Sequence, residues 1–276
     1  MVSPNLELRD ISSKVIQRFQ KKVFTFYRRN KRQLPWRMTK DPYKILLSEF
    51  MLQQTQVNRV VSYYEKWIAR WPTIQALAAA PLPEILQMWM GLGYNTRAVY
   101  LHRTAKKIVT EFEGDVLKAV TQYKQLPGIG KYTSQAVQIF VGNADMVTID
   151  TNIRRIFISE FDLVETISDK ELWLLAEACL PRGKSRDWHN ALMDYGALHL
   201  TAHRTGIRPK TQQSRFEGSN RQIRAKILRC LLTENMSISK LEKNVGVEHA
   251  RLRLVLEKMR TEKIIGKRNN IYHVRQ

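Results

Sequence analysis

Apolar side chains recur every three or four positions along most of this chain, the period of a helix buried along one face. Between residues 11 and 31, Val15, Ile16, Phe19, Val23, Phe26 and Tyr27 fall on such a stripe. Asp41-Pro42 opens the next helical run, with Asp as N-cap and Pro at the first helical position. That run continues to about Gln53 and resumes through Tyr64 and Trp67. Pro72, Pro81 and Pro83 punctuate short elements. Gly91-Leu92-Gly93 breaks the chain before a basic helix from about Thr96 to Phe112. Leu126-Pro127-Gly128-Ile129-Gly130 reads as a tight turn between helices, its glycines relieving the bend. No stretch alternates with a strand-like period until the C-terminus.

There, helical patterns near 220–233, 237–244 and 248–262 precede two short strands around Lys267-Arg268-Asn269-Asn270. Three helices followed by a hairpin is the plan of a winged-helix module. Ile223, Ile227, Leu231, Leu252, Val255, Leu256 and Met259 are its expected core. Before it, His203 to Gln222 is polar and basic, with two glycines and one proline, and reads as an irregular connection.

Composition narrows the choice of partner. The 276 residues are 43% hydrophobic, so the chain folds rather than staying disordered. Its 46 basic residues exceed its 25 acidic ones by +21. That excess points to a polyanion, with nucleic acid ahead of an anionic membrane surface. Two cysteines cannot build a zinc site or an iron–sulfur cluster unaided. Met1 to Asp10 lacks the apolar core of a signal peptide, and no apolar run approaches the length that spans a bilayer. The expectation is a soluble protein of a reducing compartment, the cytoplasm, close to the nucleoid.

Three segments can carry chemistry. In Leu126 to Thr133, the helix after the glycine turn would present its N-terminal N–H groups to an anion, with Lys131 alongside. Such a helix–hairpin–helix grips a DNA phosphate without reading sequence; a plain glycine-capped turn is the alternative. In Thr148 to Arg155, Asp150 or Thr151 would cap a helix beginning near Ile153. The helix dipole and N–H groups would hold the Asp150 carboxylate ionised, unless Asp150 is only a cap. In Leu46 to Val57, Glu49 has Ile45, Leu46 and Leu52 as helical neighbours. Lost solvation would raise its pKa and suit it to general-acid work, unless its carboxylate lies in water. An acid and a carboxylate whose environments push their pKa values apart form an acid–base pair.

Taken with Leu34-Pro-Trp-Arg37, Asp41-Pro-Tyr-Lys44, Ser48-Glu-Phe-Met-Leu-Gln-Gln-Thr-Gln-Val57, Gly91-Leu-Gly-Tyr94 and Leu192-Met-Asp-Tyr-Gly-Ala197, these segments resemble one family. It is the helix–hairpin–helix (HhH-GPD) superfamily of DNA glycosylases, and within it the adenine mismatch glycosylases. The resemblance covers roughly residues 12–200, and Gln-Gln-Thr-Gln-Val is its most specific part. It implies that Glu49 protonates N7 of a flipped adenine and that Asp150 stabilises the oxocarbenium ion, supported by Asn152 and Tyr132. It places Trp36 and Arg37 in the base pocket. Gln54 and Tyr94 would wedge into the duplex beside Gln53, with Thr55 and Leu92 facing the opposite base. Gly128, Gly130 and Lys131 would hold phosphate, and the carbonyls of Lys124, Leu126 and Ile129 a sodium or potassium ion. Extrusion of the base makes a pocket and wedges necessary.

The resemblance also sets what the reaction lacks. Bifunctional relatives place a Schiff-base lysine where Tyr132 stands, and Lys131 is turned about 100° away on a helix. Water-dependent base removal without strong strand cleavage is expected. The family's four cluster cysteines fall on Leu200, Ile207, Lys210 and Phe216, so no iron–sulfur cofactor is expected.

The expected architecture is all-α and two-lobed, with a small α+β module. A glycosylase domain would span 1–202, with a six-helix part about 36–142 and a second lobe from 1–35 plus 143–202. A basic linker 203–219 and a winged-helix-like module 220–276 would follow. The expected activity is removal of adenine opposite guanine or 8-oxoguanine from double-stranded DNA by a monomer. The alternatives are a thymine or uracil mismatch glycosylase, and a non-catalytic winged-helix DNA-binding protein.

Overall fold

The computed structural model describes residues 11–210 and 215–275. In chain order its helices are α1 (Ser13–Asn30), α2 (Pro42–Leu52), α3 (Val57–Arg70), α4 (Ile74–Ala79), α5 (Leu82–Trp89), α6 (Thr96–Glu111), α7 (Val116–Thr121), α8 (Lys131–Gly142), α9 (Thr151–Glu160), α10 (Asp169–Ala178), α11 (Ser185–Leu198), α12 (Ala202–Thr205), α13 (Asn220–Thr233), α14 (Ile238–Val245) and α15 (His249–Thr261). The strands are β1 (Met236–Ser237), β2 (Ile265–Arg268) and β3 (Ile271–Val274). The chain divides into two compact units, Met1–Ile45 with Lys131–Gln212 and Leu46–Gly130 with Gln213–Gln276, each considered over its described residues.

The first unit packs α1, α9, α10 and α11 around an aromatic cluster. Phe19 meets Phe157, Phe161 and Trp188 at centroid distances of 5.6, 5.0 and 5.5 Å, two of the three edge-on. Such pairs add about 1 kcal/mol each beyond their buried area. The Asp194 carboxylate lies wholly buried in this unit, where an unpaired charge would be very costly. Burial alone would push its pKa up. Arg37, at 2.8 and 2.9 Å, and Arg32 overcome that and hold it below the ordinary carboxylate value.

The second unit centres on Trp67, whose ring lies 4.8 Å from Trp71 and 5.5 Å from Trp89. Leu77, Ile85, Leu86, Leu101 and Ile108 complete that buried layer. Side-chain caps start its short helices, Thr73 on α4 and Asp115 on α7.

The C-terminal part of this unit has the expected helix–helix–helix–hairpin plan, and all seven expected core residues are buried. β2 and β3 pair antiparallel, with Arg268 opposite Ile271. Asn269 and Asn270 link them at φ 48° and 62°, the left-handed pair of a type I′ hairpin turn. The pattern did not reveal β1, whose two residues pair with β3 to give the order β1-β3-β2. Two residues are too few for any period. α12, capped by the Thr201 side chain, runs into the expected irregular connection and is ended by Gly206 in the left-handed region.

Candidate functional site

In the first unit, Asp150 is the N-cap of α9, which begins two residues earlier than its sequence pattern suggested. Its Oδ1 accepts the Ile153 N–H at 2.7 Å, and its Oδ2 accepts the Asn152 amide at 3.2 Å. Arg155 donates in turn to Asn152 Oδ1 at 2.7 Å and to the Leu200 carbonyl at 2.7 Å. Asn152 is therefore held from both sides. A methyl added to Gly196 would lie 3.2 Å from Asn152 Cβ, so α11 packs directly under this network.

The expectation that Asp150 is simply held ionised is corrected here. Burial dominates and pushes its carboxyl above the ordinary value, against the Ile153 N–H, Asn152 and Arg155. The dipole and donors reduce that effect without reversing it. Desolvation outweighs a helix end because it acts on the whole charge.

Behind Asp150, the buried His189 accepts the Thr148 N–H through Nε2 at 3.2 Å and faces the Ser185 carbonyl through Nδ1 at 2.8 Å. Burial pulls its pKa down to about 4, so the ring is neutral and can accept. His189 and Arg155 are supports that the sequence reading missed. Their signal was present, as polar residues on otherwise apolar helix faces.

Asp150 and Tyr132 line one pocket of about 640 Å³, together with Lys131, Trp173 and Lys210. The Lys131 ammonium lies 4.1 Å from the centroid of the Trp173 ring, a cation–π contact that draws it to the tryptophan. Trp36 is buried in the turn Pro35–Arg37. Arg37, the other expected pocket residue, is fixed by its pairing. Its guanidinium is committed to Asp194, because a buried carboxylate requires a fixed bidentate partner.

In the second unit, Glu49 is 6% exposed on α2, so the reading with its carboxylate in water is excluded. After α2 the chain turns through Gln53, Gln54 and Thr55. Gln54 is exposed at φ 55°, and Tyr94 is half-buried at φ 48°. Side chains at such angles cost about 1 to 3 kcal/mol each and persist only where their surroundings impose them.

Arg97 imposes them. This buried residue donates to the carbonyls of Phe50 and Met51 at 2.9 and 3.0 Å, where α2 ends. It also donates to the carbonyls of Leu92 and Gly93, both at 3.0 Å, and to the Thr55 hydroxyl at 2.9 Å. One guanidinium thus joins the two turns that carry Gln54 and Tyr94. Burial lowers its pKa to about 10, which still leaves it charged at neutral pH. Leu92 is corrected as well. Its side chain is 4% exposed, buried within the unit rather than presented to a partner.

The hairpin loop is anchored to α6. Thr104 donates to the Pro127 carbonyl at 2.7 Å and Lys107 to the Gln125 carbonyl at 3.1 Å. Gly128 has φ 78°, and a methyl there would lie 2.8 Å from Tyr100 Cβ and 3.0 Å from Phe50. Gly130 has neither a positive φ nor any atom within 4 Å of an added methyl. Nothing inside the chain demands glycine there, whereas close approach of an outside group would.

The residues at the cluster positions do not fit an iron–sulfur group. Ile207 is buried, Lys210 pairs with Asp169, and Phe216 is 52% exposed. Among the described residues, no group of three or more histidines, cysteines or carboxylates is placed to hold a metal. Within the second unit, Arg221 and Arg224 of α13 turn toward Tyr94 and Glu262. Arg229, Arg253, Lys258, Lys263, Lys267 and Arg268 remain on the surface.

Residues 47–179 match the family described as HhH-GPD superfamily base excision DNA repair protein. The adenine DNA glycosylase of Mycolicibacterium smegmatis is 34% identical over 244 residues, covering 81% of this chain and 83% of that protein. The adenine DNA glycosylase of Buchnera aphidicola is 38% identical over 183 residues, 65% of this chain, and this chain spans only 52% of that relative's length. Among solved structures, a thermostable thymine-DNA glycosylase superposes with a TM-score of 0.62 at 30% identity, over 70% of this chain and 94% of that one.

Proposed function

Because the chain belongs to the HhH-GPD superfamily of base excision DNA repair proteins, among its adenine DNA glycosylases, we propose that it hydrolyses a mispaired adenine from duplex DNA without cleaving the strand. In this reading Glu49 gives its proton to N7 of the extruded adenine. The C1′–N9 bond breaks, its electron pair leaves with the base, and the sugar becomes an oxocarbenium ion. Asp150 stabilises that cation and takes the proton of the water that adds at C1′. A carboxylate fixed by the Ile153 N–H and the Asn152 amide needs little reorganisation as the cation forms, and such preorganisation is what gives electrostatic catalysis its strength. Asn152, held by Arg155, keeps the Asp150 carboxylate oriented.

One observation carries the hydrolytic assignment. Tyr132 is a phenol where a Schiff base would need an amine, and the adjacent amine, Lys131, lies on Trp173. Gln54 and Tyr94 act as wedges, and Gly128, Gly130 and Lys131 contact a phosphate. A monovalent cation on the Lys124, Leu126 and Ile129 carbonyls suits an all-oxygen donor set. The reading includes no iron–sulfur cofactor, and it makes the protein a monomer working in the cytoplasm at the nucleoid.

The test is single-turnover cleavage of duplexes carrying A:8-oxoguanine, A:G, T:G and U:G pairs. Release of adenine from the first two, with strand breaks only after alkali, is the expected result. Preferential release of thymine or uracil would overturn the substrate, and inertness on all four despite tight binding would overturn the activity.

A further inference from the structure

Tyr94 needs a restraint on its ring as well as on its backbone. Arg97 fixes the backbone through the Leu92 and Gly93 carbonyls. The hydroxyl is held by a residue far along the chain. Arg221, at the start of α13, donates to Tyr94 Oη at 3.1 Å across 127 positions of sequence. Its guanidinium also lies 5.2 Å from the centroid of the Tyr94 ring and 6.0 Å from that of Phe216.

This contact is separate from what docks the module. Arg224 and the Thr96 hydroxyl both meet the Glu262 carboxylate, and Arg103 donates to the Glu262 carbonyl at 3.1 Å. Those groups already join α13 and α15 to α6 within the second unit. Arg221 is a further cation, directed at Tyr94, the one aromatic residue at positive φ among the described residues. A planar guanidinium can stack on a ring and bond its hydroxyl together, which a lysine cannot do.

We propose that Arg221 is a positioning residue for Tyr94, through which the C-terminal module sets the wedge that extrudes the base. The inference rests on the reading of Tyr94 as a wedge given above. It makes extrusion, rather than duplex affinity, the step that depends on the module.

The experiment uses the full chain and a duplex with 2-aminopurine in place of the target adenine, whose fluorescence rises as the base unstacks. Arg221→Ala is expected to slow that rise about tenfold, roughly 1.4 kcal/mol. Affinity for a fully paired duplex and the melting temperature should stay as in the wild type. Arg221→Lys should recover part of the rate. Combined with Tyr94→Ala, which itself slows the rise, Arg221→Ala should add nothing, as expected for two groups acting as one.

If Tyr94→Ala loses extrusion while Arg221→Ala keeps the wild-type rate, the inference fails and the wedge reading stands. If Tyr94→Ala extrudes normally, both fail. Weaker binding to paired duplex with a reduced salt slope would make Arg221 a phosphate contact instead. Faster extrusion by Arg221→Ala would make it a restraint, and that result also overturns the proposal.

Discussion

Around α9, N–H donors hold a carboxylate at a helix start; around α6, a buried guanidinium holds carbonyl oxygens at a helix end. The Asp150 carboxyl meets the Ile153 N–H and the Asn152 amide, while burial raises its pKa against them. Arg97 gives up its own exposure to fix two turns that would otherwise relax. The first arrangement places its electrostatic cost on Asp150. The second stores backbone strain in Gln54 and Tyr94 and places the charge elsewhere. Under the proposed function, chemistry on a sugar cation calls for the first, and displacement of a stacked base calls for the second.

The sharpest break in this comparison is Asp150→Asn. Base release should fall about a thousandfold, since charge stabilisation is lost. Stability should hold or rise, because Asn caps a helix as well as Asp does and no charge is buried. Single-turnover rates beside melting curves check both halves, and a near-wild-type rate or a large loss of stability would contradict the assignment. In the wild type, the rate should decline on acidification above the ordinary aspartate range, because the carboxyl is raised. A smaller effect is expected from Arg97→Met. Four carbonyls lose a donor, so stability should drop by about 3 kcal/mol in urea titration. Amide exchange at residues 91–95 should accelerate while that of α9 does not, and an unchanged loop would show that Arg97 does not hold it.

The smallest effect treats the two units alike. His189 in one and His102 in the other are buried, and each has its pKa pulled down to about 4 by burial. Their folded pKa lies below the unfolded value, so the unfolded chain takes up protons first as pH falls. Stability present above about pH 6.5 is therefore lost progressively down to about pH 4, by about 1 kcal/mol per histidine at pH 5.5. His189→Gln should flatten that slope by half. An unaltered slope would mean the ring is not buried neutral.

The helical order, the winged-helix plan and its core were legible because each rests on local period and turn chemistry. Asn269-Asn270 announced its own turn, and Asp41-Pro42 its own helix start. Glu49 and Asp150 could be singled out, but not their surroundings. Arg97 looked like one more charge on a basic helix, because five oxygens from two turns converge on it only in three dimensions. The pairing of Arg37 was illegible for the same reason, since its partner Asp194 lies 157 positions away. Leu92 sits in a glycine-flanked turn, and no sequence period tells which way such a turn points its side chain.

The Arg221–Tyr94 bond also fixes an order in time. The chain is made from its N-terminus, and Tyr94 leaves the ribosome 127 residues ahead of the arginine that grips it. At about 5 to 20 residues per second, that gap lasts roughly 6 to 25 seconds. Glu262, which locks α13 and α15 to α6, arrives later still. A nascent chain therefore carries Glu49 and Asp150 before the Tyr94 ring is braced, and under the proposed function the wedge is completed last.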